Sequence, residues 1–114
     1  MGRLTTHVLD TSHGIPGRGI AVRVFRVGEN RELVAAATTN DDGRCEAPLL
    51  GDNDFVTGTY ELEFDVAPYF AAYGAETDTP FLDTVTLRVT LADDSHYHVP
   101  LLVSPWSYST YRGS

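Results

Sequence analysis

Lysine is absent from this 114-residue sequence, cysteine occurs once, at Cys45, and no apolar run approaches the length of a membrane span. Each scarcity removes a class of explanation. A single cysteine allows neither an internal disulfide nor a multi-cysteine zinc site. A lone Cys in a strand-like run is read as a small buried hydrophobe rather than a catalytic thiol. Without a membrane-length run no spanning helix is expected. The opening "MGRLTTHVLD" has neither the apolar stretch nor the small-residue cleavage site of a secretory signal, so the cytoplasm is the expected compartment. Positive charge is scarce too: eight arginines stand against sixteen acids, a formal net charge of -8. The deficit is lopsided, since residues 1–50 balance six acids with six arginines while residues 51–100 set ten acids against Arg88 alone. So acidic a chain is a poor partner for nucleic acid or an anionic membrane.

What is present is period-two alternation. With 42% hydrophobic content, residues 1–114 read as one domain with one core. In "TYELEFDV", Tyr60, Leu62, Phe64 and Val66 share one face, and Thr59, Glu61, Glu63 and Asp65 the other, as in a strand with one wet side. "TVTLRVTL", "IAVRVFRV" and "ELVAAATT" repeat the pattern, and "GEN", "NDDG" and "ADDS" supply the residues that tight reversals need. The expected fold is all-β, an antiparallel sandwich. "APYFAAYG" interrupts it as a short helix, with Pro68 in the first turn and Gly74 as its stop.

Three segments lack a wet side. In "LTTHVLD", Leu4, Thr6 and Val8 face away from Thr5, His7 and Leu9; in "HYHVPLLV", Tyr97, Val99, Leu101 and Val103 oppose His96, His98, Pro100 and Leu102. "WSYSTYR", after the Ser104-Pro105 break, sets Trp106, Tyr108, Thr110 and Arg112 against Ser107, Ser109, Tyr111 and Gly113. Strands that are apolar on two faces need two covers, and a second subunit is the simplest supplier of the outer one.

The alternation puts His7 and His98 on those outer faces, where they could share a groove. Neutral imidazole suits removal of a proton from water near pH 7, although a single His of this kind more often lies satisfied at a surface or interface. His13, in "TSHGIPG", reads as surface. "HYH" with His7 also spells a three-His metal site as a rival, one that lacks a carboxylate at a matching position in its strand to orient a ligand. Arg44, after the "NDDG" turn, reads on position alone as a solvated turn residue. Its planar guanidinium would otherwise bind a carbonyl-rich anion, stabilise charge building on an oxygen and help keep nearby imidazoles neutral.

The stretches "LTTHVLDTSHGIPG", "TNDDGRC" and "HYHVPLLVSPWSYSTYRGS" resemble, over essentially the whole chain, the 5-hydroxyisourate hydrolases of the transthyretin-like family. The closing Tyr-Arg-Gly-Ser is the specific part, because transthyretin proper lacks it; Trp106 stands where Tyr or Phe would be expected. The resemblance implies a sandwich of two four-stranded sheets with one short helix. It further implies a homotetramer with active sites in a channel at the dimer–dimer interface, and no cofactor or metal. Carried over motif by motif, it assigns catalysis to His7, Arg44 and His98, and substrate binding to His7, Arg44, Tyr111, Arg112, Gly113 and Ser114. The implied reaction opens 5-hydroxyisourate to 2-oxo-4-hydroxy-4-carboxy-5-ureidoimidazoline in urate degradation, with the chain ending where the site is. A transthyretin-type carrier is the alternative, and a generic sandwich interaction module a third. No Gly-x-Ser-x-Gly elbow occurs, so no covalent intermediate is expected.

Overall fold

The computed structural model describes residues 2–74 and 79–113. Among these, the elements in chain order are β1 (Arg3–Asp10), β2 (Ile15–Pro16), β3 (Ala21–Val27), β4 (Arg31–Thr38), β5 (Gly58–Asp65), α1 (Val66–Ala71), β6 (Thr84–Leu91), β7 (His96–Val103) and β8 (Tyr108–Thr110). The strands form two four-stranded sheets, ordered β2-β1-β7-β8 and β4-β3-β5-β6. The two-sheet sandwich with one short helix is the expected architecture.

Alternation dictates what meets in the middle. Tyr60, Leu62 and Phe64 of β5 and Val85, Leu87 and Leu91 of β6 are buried, as are Leu4 and Val8 of β1 and Tyr97, Val99, Leu101 and Val103 of β7. These inward rows join one hydrophobic cluster across the sandwich. Thr6, the polar member of the β1 row, is accommodated because its Oγ1 donates to the Val99 carbonyl at 2.7 Å. On the wet side of β5, Arg23 donates two 2.8 Å hydrogen bonds to Asp65, while Arg31 reaches Glu61 and Glu63. Solvent weakens each such surface pair, yet together they relieve the repulsion along a row of carboxylates.

The antiparallel expectation fails at one pairing, because β1 and β7 are parallel over eight residues. Nearly the whole chain separates them, so the second sheet serves as the crossover that parallel neighbours require and a hairpin cannot provide. The closing segment also differs from expectation. Ser104 N–H donates to the Ser107 carbonyl at 2.8 Å, a turn that lifts Trp106 to an exposed tip beside Phe81 and delays β8 until Tyr108. The helix is shorter than its 67–74 pattern. Its last turn tightens through Tyr73 N–H to the Phe70 carbonyl, and Gly74 follows at φ +88°.

One buried charge anchors the end of β1. Asp10, with no exposed surface, accepts from the Ser12 N–H and Oγ (2.9 and 2.7 Å) and from the Tyr69 hydroxyl (2.8 Å), and pairs with His13 Nδ1 at 2.7 Å. His13 is therefore a surface ring with a structural task. Burial alone would oppose ionisation of Asp10, but the bonds from Ser12, His13 and Tyr69 outweigh it and hold the carboxyl below its ordinary range. Replacing Asp10→Asn keeps the shape and loses the charge. Urea denaturation at pH 7 is expected to show a loss of about 2 kcal/mol in unfolding free energy; a loss below about 0.5 kcal/mol would mean that the neutral amide satisfies the same donors.

Candidate active site

The parallel register sets Thr5 opposite His98 and His7 opposite Pro100. Since Thr5, His7, His96 and His98 all alternate away from the core, three imidazoles and one hydroxyl gather on the outer face of adjacent strands. Thr5 Oγ1 is hydrogen-bonded to both rings of β7, at 2.8 Å from His98 Nδ1 and 2.9 Å from His96 Nε2.

Arg44 arrives along the other edge of β1. Beyond β4 the chain turns tightly: Gly43 N–H donates to the Asn40 carbonyl (2.9 Å), Asn40 N–H to the Arg44 carbonyl (2.7 Å), and Asn40 Oδ1 accepts from the Asp42 N–H (2.9 Å). Gly43 adopts φ +75°, and a Cβ there would collide with the Val8 carbonyl. Glycine thus lets the turn lie against β1, where the Gly43 carbonyl accepts from Val8 N–H at 2.8 Å and an antiparallel bridge pairs His7 with Arg44. Leu50 extends the same edge by bridging Leu4. Between this segment and β7 lies an open pocket of about 410 Å³, whose lining includes Thr5, Arg44, Glu46, His96 and His98. His7 flanks it beside Arg44.

The C-terminal residues diverge. Gly113 N–H donates to the His98 carbonyl at 2.7 Å, and a Cβ on Gly113 would sit 2.8 Å from His98 Cδ2 and 3.2 Å from its Cβ. The backbone thus comes close to the His98 ring at a position without a side chain. Arg112 turns the other way: its guanidinium lies 4.0 Å over the Tyr97 ring and donates to Ser95 Oγ at 3.1 Å. Tyr111 is exposed and borders, with Arg112, a separate recess of about 210 Å³ against Val89 and Val99. Within one protomer the fold brings together His7, Arg44, His98 and Gly113, whereas Arg112 lies on the Tyr97 face. Ser114 lies outside the described residues.

Electrostatics follow from this geometry. Burial lowers the pKa of His7, and the Arg44 charge lowers it further against an opposing pull from Asp42. His98 is lowered by burial first, then by Arg44, His7 and His96. Both rings are accordingly held neutral at pH 7, able to accept a proton. Burial and Glu46 raise the Cys45 thiol above its ordinary value, which leaves it protonated and poorly nucleophilic. Among the described residues no group of three or more His, Cys, Asp or Glu side chains is placed to hold a metal ion. In the His-x-His pair, the facing nitrogens are turned onto the Thr5 hydroxyl.

Sequence reasoning passed over Thr5 and Glu46 as pocket residues and met His96 only as part of the three-His metal rival. Thr5 had a readable signal, its place on the same alternating face as His7. Glu46 had none, because its position depends on the edge pairing of residues 43–50.

The HIUase/Transthyretin family model matches residues 4–113. A 5-hydroxyisourate hydrolase of Pseudomonas aeruginosa is 56% identical over 117 residues, covering all of this chain and 93% of that one. Among solved structures, an (S)-allantoin synthase matches with TM-score 0.92 and 50% identity over 99% of this chain, which spans only 44% of that one. The Klebsiella pneumoniae 5-hydroxyisourate hydrolase matches over the full length of both chains (TM-score 0.82, 34% identity). Sea bream transthyretin in complex with thyroxine matches over 97% of this chain and 94% of that one (TM-score 0.87, 27% identity).

Removing the guanidinium should let both rings charge more readily, with burial still opposing them. In Arg44→Gln the titration midpoints of His7 and His98, followed by NMR of the imidazole C–H signals, are expected to move upward toward the ordinary imidazole value. Unmoved midpoints would show that the Arg44 charge does not reach them. The same depression links to stability. A His with a lowered folded pKa binds fewer protons folded than unfolded, so stability is fully present above the unfolded value of about 6.5 and falls as pH drops below it.

Proposed function

The chain belongs to the HIUase/Transthyretin family, and we infer that within it the chain is a hydrolase that opens the six-membered ring of 5-hydroxyisourate at its N1–C6 amide. The observation that carries this reading is a pair of imidazoles held neutral beside one guanidinium at an open pocket. An amide carbonyl is attacked readily by hydroxide and poorly by water, so the site must take a proton from water while bearing the negative charge that moves onto oxygen. A positioned imidazole supplies about 10²–10⁴-fold, and an oriented cation at the developing oxyanion a comparable amount, about 3 kcal/mol.

The steps balance simply. Water yields a proton to a neutral imidazole as its oxygen bonds to C6, and the carbonyl electron pair moves onto the oxygen facing Arg44. The tetrahedral adduct collapses by breaking C6–N1, and the imidazolium returns its proton to N1. The product carries a new carboxylate, the ureidoimidazoline acid of urate breakdown. No step draws on a cofactor.

The outer face of β1 and β7 supports assembly as a homotetramer. Leu9 and Leu102 are only half-buried there and Tyr111 is 62% exposed in the protomer, so neighbouring copies would roof the pocket and convert it into a channel. In that arrangement Tyr111 completes the site from the channel wall, with substrate as its partner. The single unpaired thiol suits a reducing cytoplasm.

The carrier reading has no observation of its own. Imidazoles and a guanidinium at a pocket suit proton transfer and oxyanion binding better than storage of an apolar ligand. The test is to generate 5-hydroxyisourate from urate with an oxidase and follow its ultraviolet band. The protein is expected to speed the decay, with or without a chelator. His98→Asn is expected to fold normally, judged by circular dichroism, and to lose at least about 100-fold in kcat. Undiminished turnover in that variant would remove His98 from the chemistry.

A further inference from the structure

A threonine hydroxyl has one hydrogen, and Thr5 Oγ1 is bonded to two imidazole nitrogens, His98 Nδ1 and His96 Nε2. It can donate to one of them only. The other contact requires a ring N–H that donates to Thr5, so the protonation of one imidazole dictates that of its neighbour. On its other side the His98 ring lies against Gly113, where even a Cβ would meet Cδ2. With Nδ1 committed to Thr5, Nε2 is the nitrogen of His98 available to a substrate in the pocket.

We propose that His98, Thr5 and His96 form a proton relay that makes His98 the general base and lends it the exposed His96 as a temporary proton store. This rests on the hydrolase reading above. At rest His98 Nδ1–H donates to Thr5 Oγ1, whose own hydrogen is donated to His96 Nε2, and His98 Nε2 keeps its lone pair. As water attacks C6, its proton goes to His98 Nε2. The Nδ1 proton then passes to Thr5 Oγ1 while the original Thr5 hydrogen passes to His96 Nε2. His98 and Thr5 are neutral again, and the positive charge sits on His96. When C6–N1 breaks, His98 Nε2–H protonates N1 and the two relay protons move back. The sum is transfer of one water proton to the leaving nitrogen.

The relay solves a problem the site creates. Burial, Arg44 and His7 all oppose a positive charge on half-buried His98, whereas His96 is exposed in the protomer. The charged and titratable groups facing the pair are Arg3 and His7 on β1, Arg3 being the register partner of His96, then Arg44, Cys45 and Glu46 on the segment crossing to β1, and Arg112, whose guanidinium approaches the His96 carbonyl at 3.5 Å. Of these, Arg44 and His7 disfavour leaving the proton on His98.

The test combines spectroscopy with kinetics. Nitrogen-15 NMR of the wild-type protein above pH 7 is expected to show both His96 and His98 as Nδ1–H tautomers, the opposite of the form imidazole favours in water. An Nε2–H form of His98 would overturn the relay. Thr5→Val, which keeps the shape and loses the hydroxyl, should lower kcat roughly 10- to 100-fold with KM little changed. Thr5→Ser should restore it. His96→Gln should lose as much as Thr5→Val, and the double variant no more than either. In both single variants the acid limb of the kcat profile should move to lower pH, because protonation of His96 no longer blocks the relay. Unchanged profiles in active variants, or additive losses, would refute it while leaving the hydrolase reading intact; a wild-type protein that fails to speed substrate decay would instead end that reading. If Thr5→Val does not fold, the wild-type tautomers decide alone.

Discussion

The parallel register of β1 against β7 is the constraint on which the site depends. It alone sets Thr5 beside His98 and turns both outward. Side chains alternate with a strict period of two, so a slip of one residue would carry His98 into the core and Val99 out of it. The core forbids that slip: Leu4, Val8, Leu101 and Val103 are wholly buried on the inner face, and Thr6 locks the pairing through its bond to the Val99 carbonyl. Positioning of the imidazoles is thus a by-product of packing on the other side of the same two strands.

β1 is used twice, and the second use supplies the cation. Its far edge is occupied by residues 43–50, which hydrogen-bond at Val8 and Leu4 and bring Arg44 opposite His7. In a chain of net charge -8, a guanidinium beside two neutral imidazoles gives the pocket a cation as well as the carboxylate of Glu46. Elsewhere the arginines are spent differently, Arg23 and Arg31 on the carboxylates of β5 and Arg112 on Tyr97. Arg44 has no carboxylate within ion-pair distance among the described residues, so its charge remains available to substrate.

Alternation made much of this legible. It located the core rows of β5 and β6 and placed His7 and His98 on second faces, because those facts depend only on local period. What depended on partners was not legible. Nothing local to "LTTHVLD" or "HYHVPLLV" says that they run parallel, or that Gly43 would press against Val8. Arg44 looked like a solvated turn residue, and only the edge pairing overrides that reading. Arg112 obeys strand logic once the pairing is known: Thr110 lies opposite Leu101 and Gly113 bridges His98, so alternation past β8 sets Arg112 on the Tyr97 face, where it stacks on that ring and donates to the Ser95 hydroxyl.

The backbone itself does not choose between holding a ligand and hydrolysing one. It overlaps a transthyretin solved with thyroxine at least as closely as it overlaps a hydrolase, so fold-level likeness carries no weight in that choice. The choice lies with side chains that project from one shared sheet face. A carrier needs that face to bind tightly and react with nothing, which favours apolar groups without titrating neighbours. Here the same face presents a hydroxyl bonded to two imidazoles, a third imidazole beyond it and a guanidinium held against their protonation. Such a set fits the two tasks that ring opening imposes, taking a proton from water and bearing the charge that moves onto oxygen.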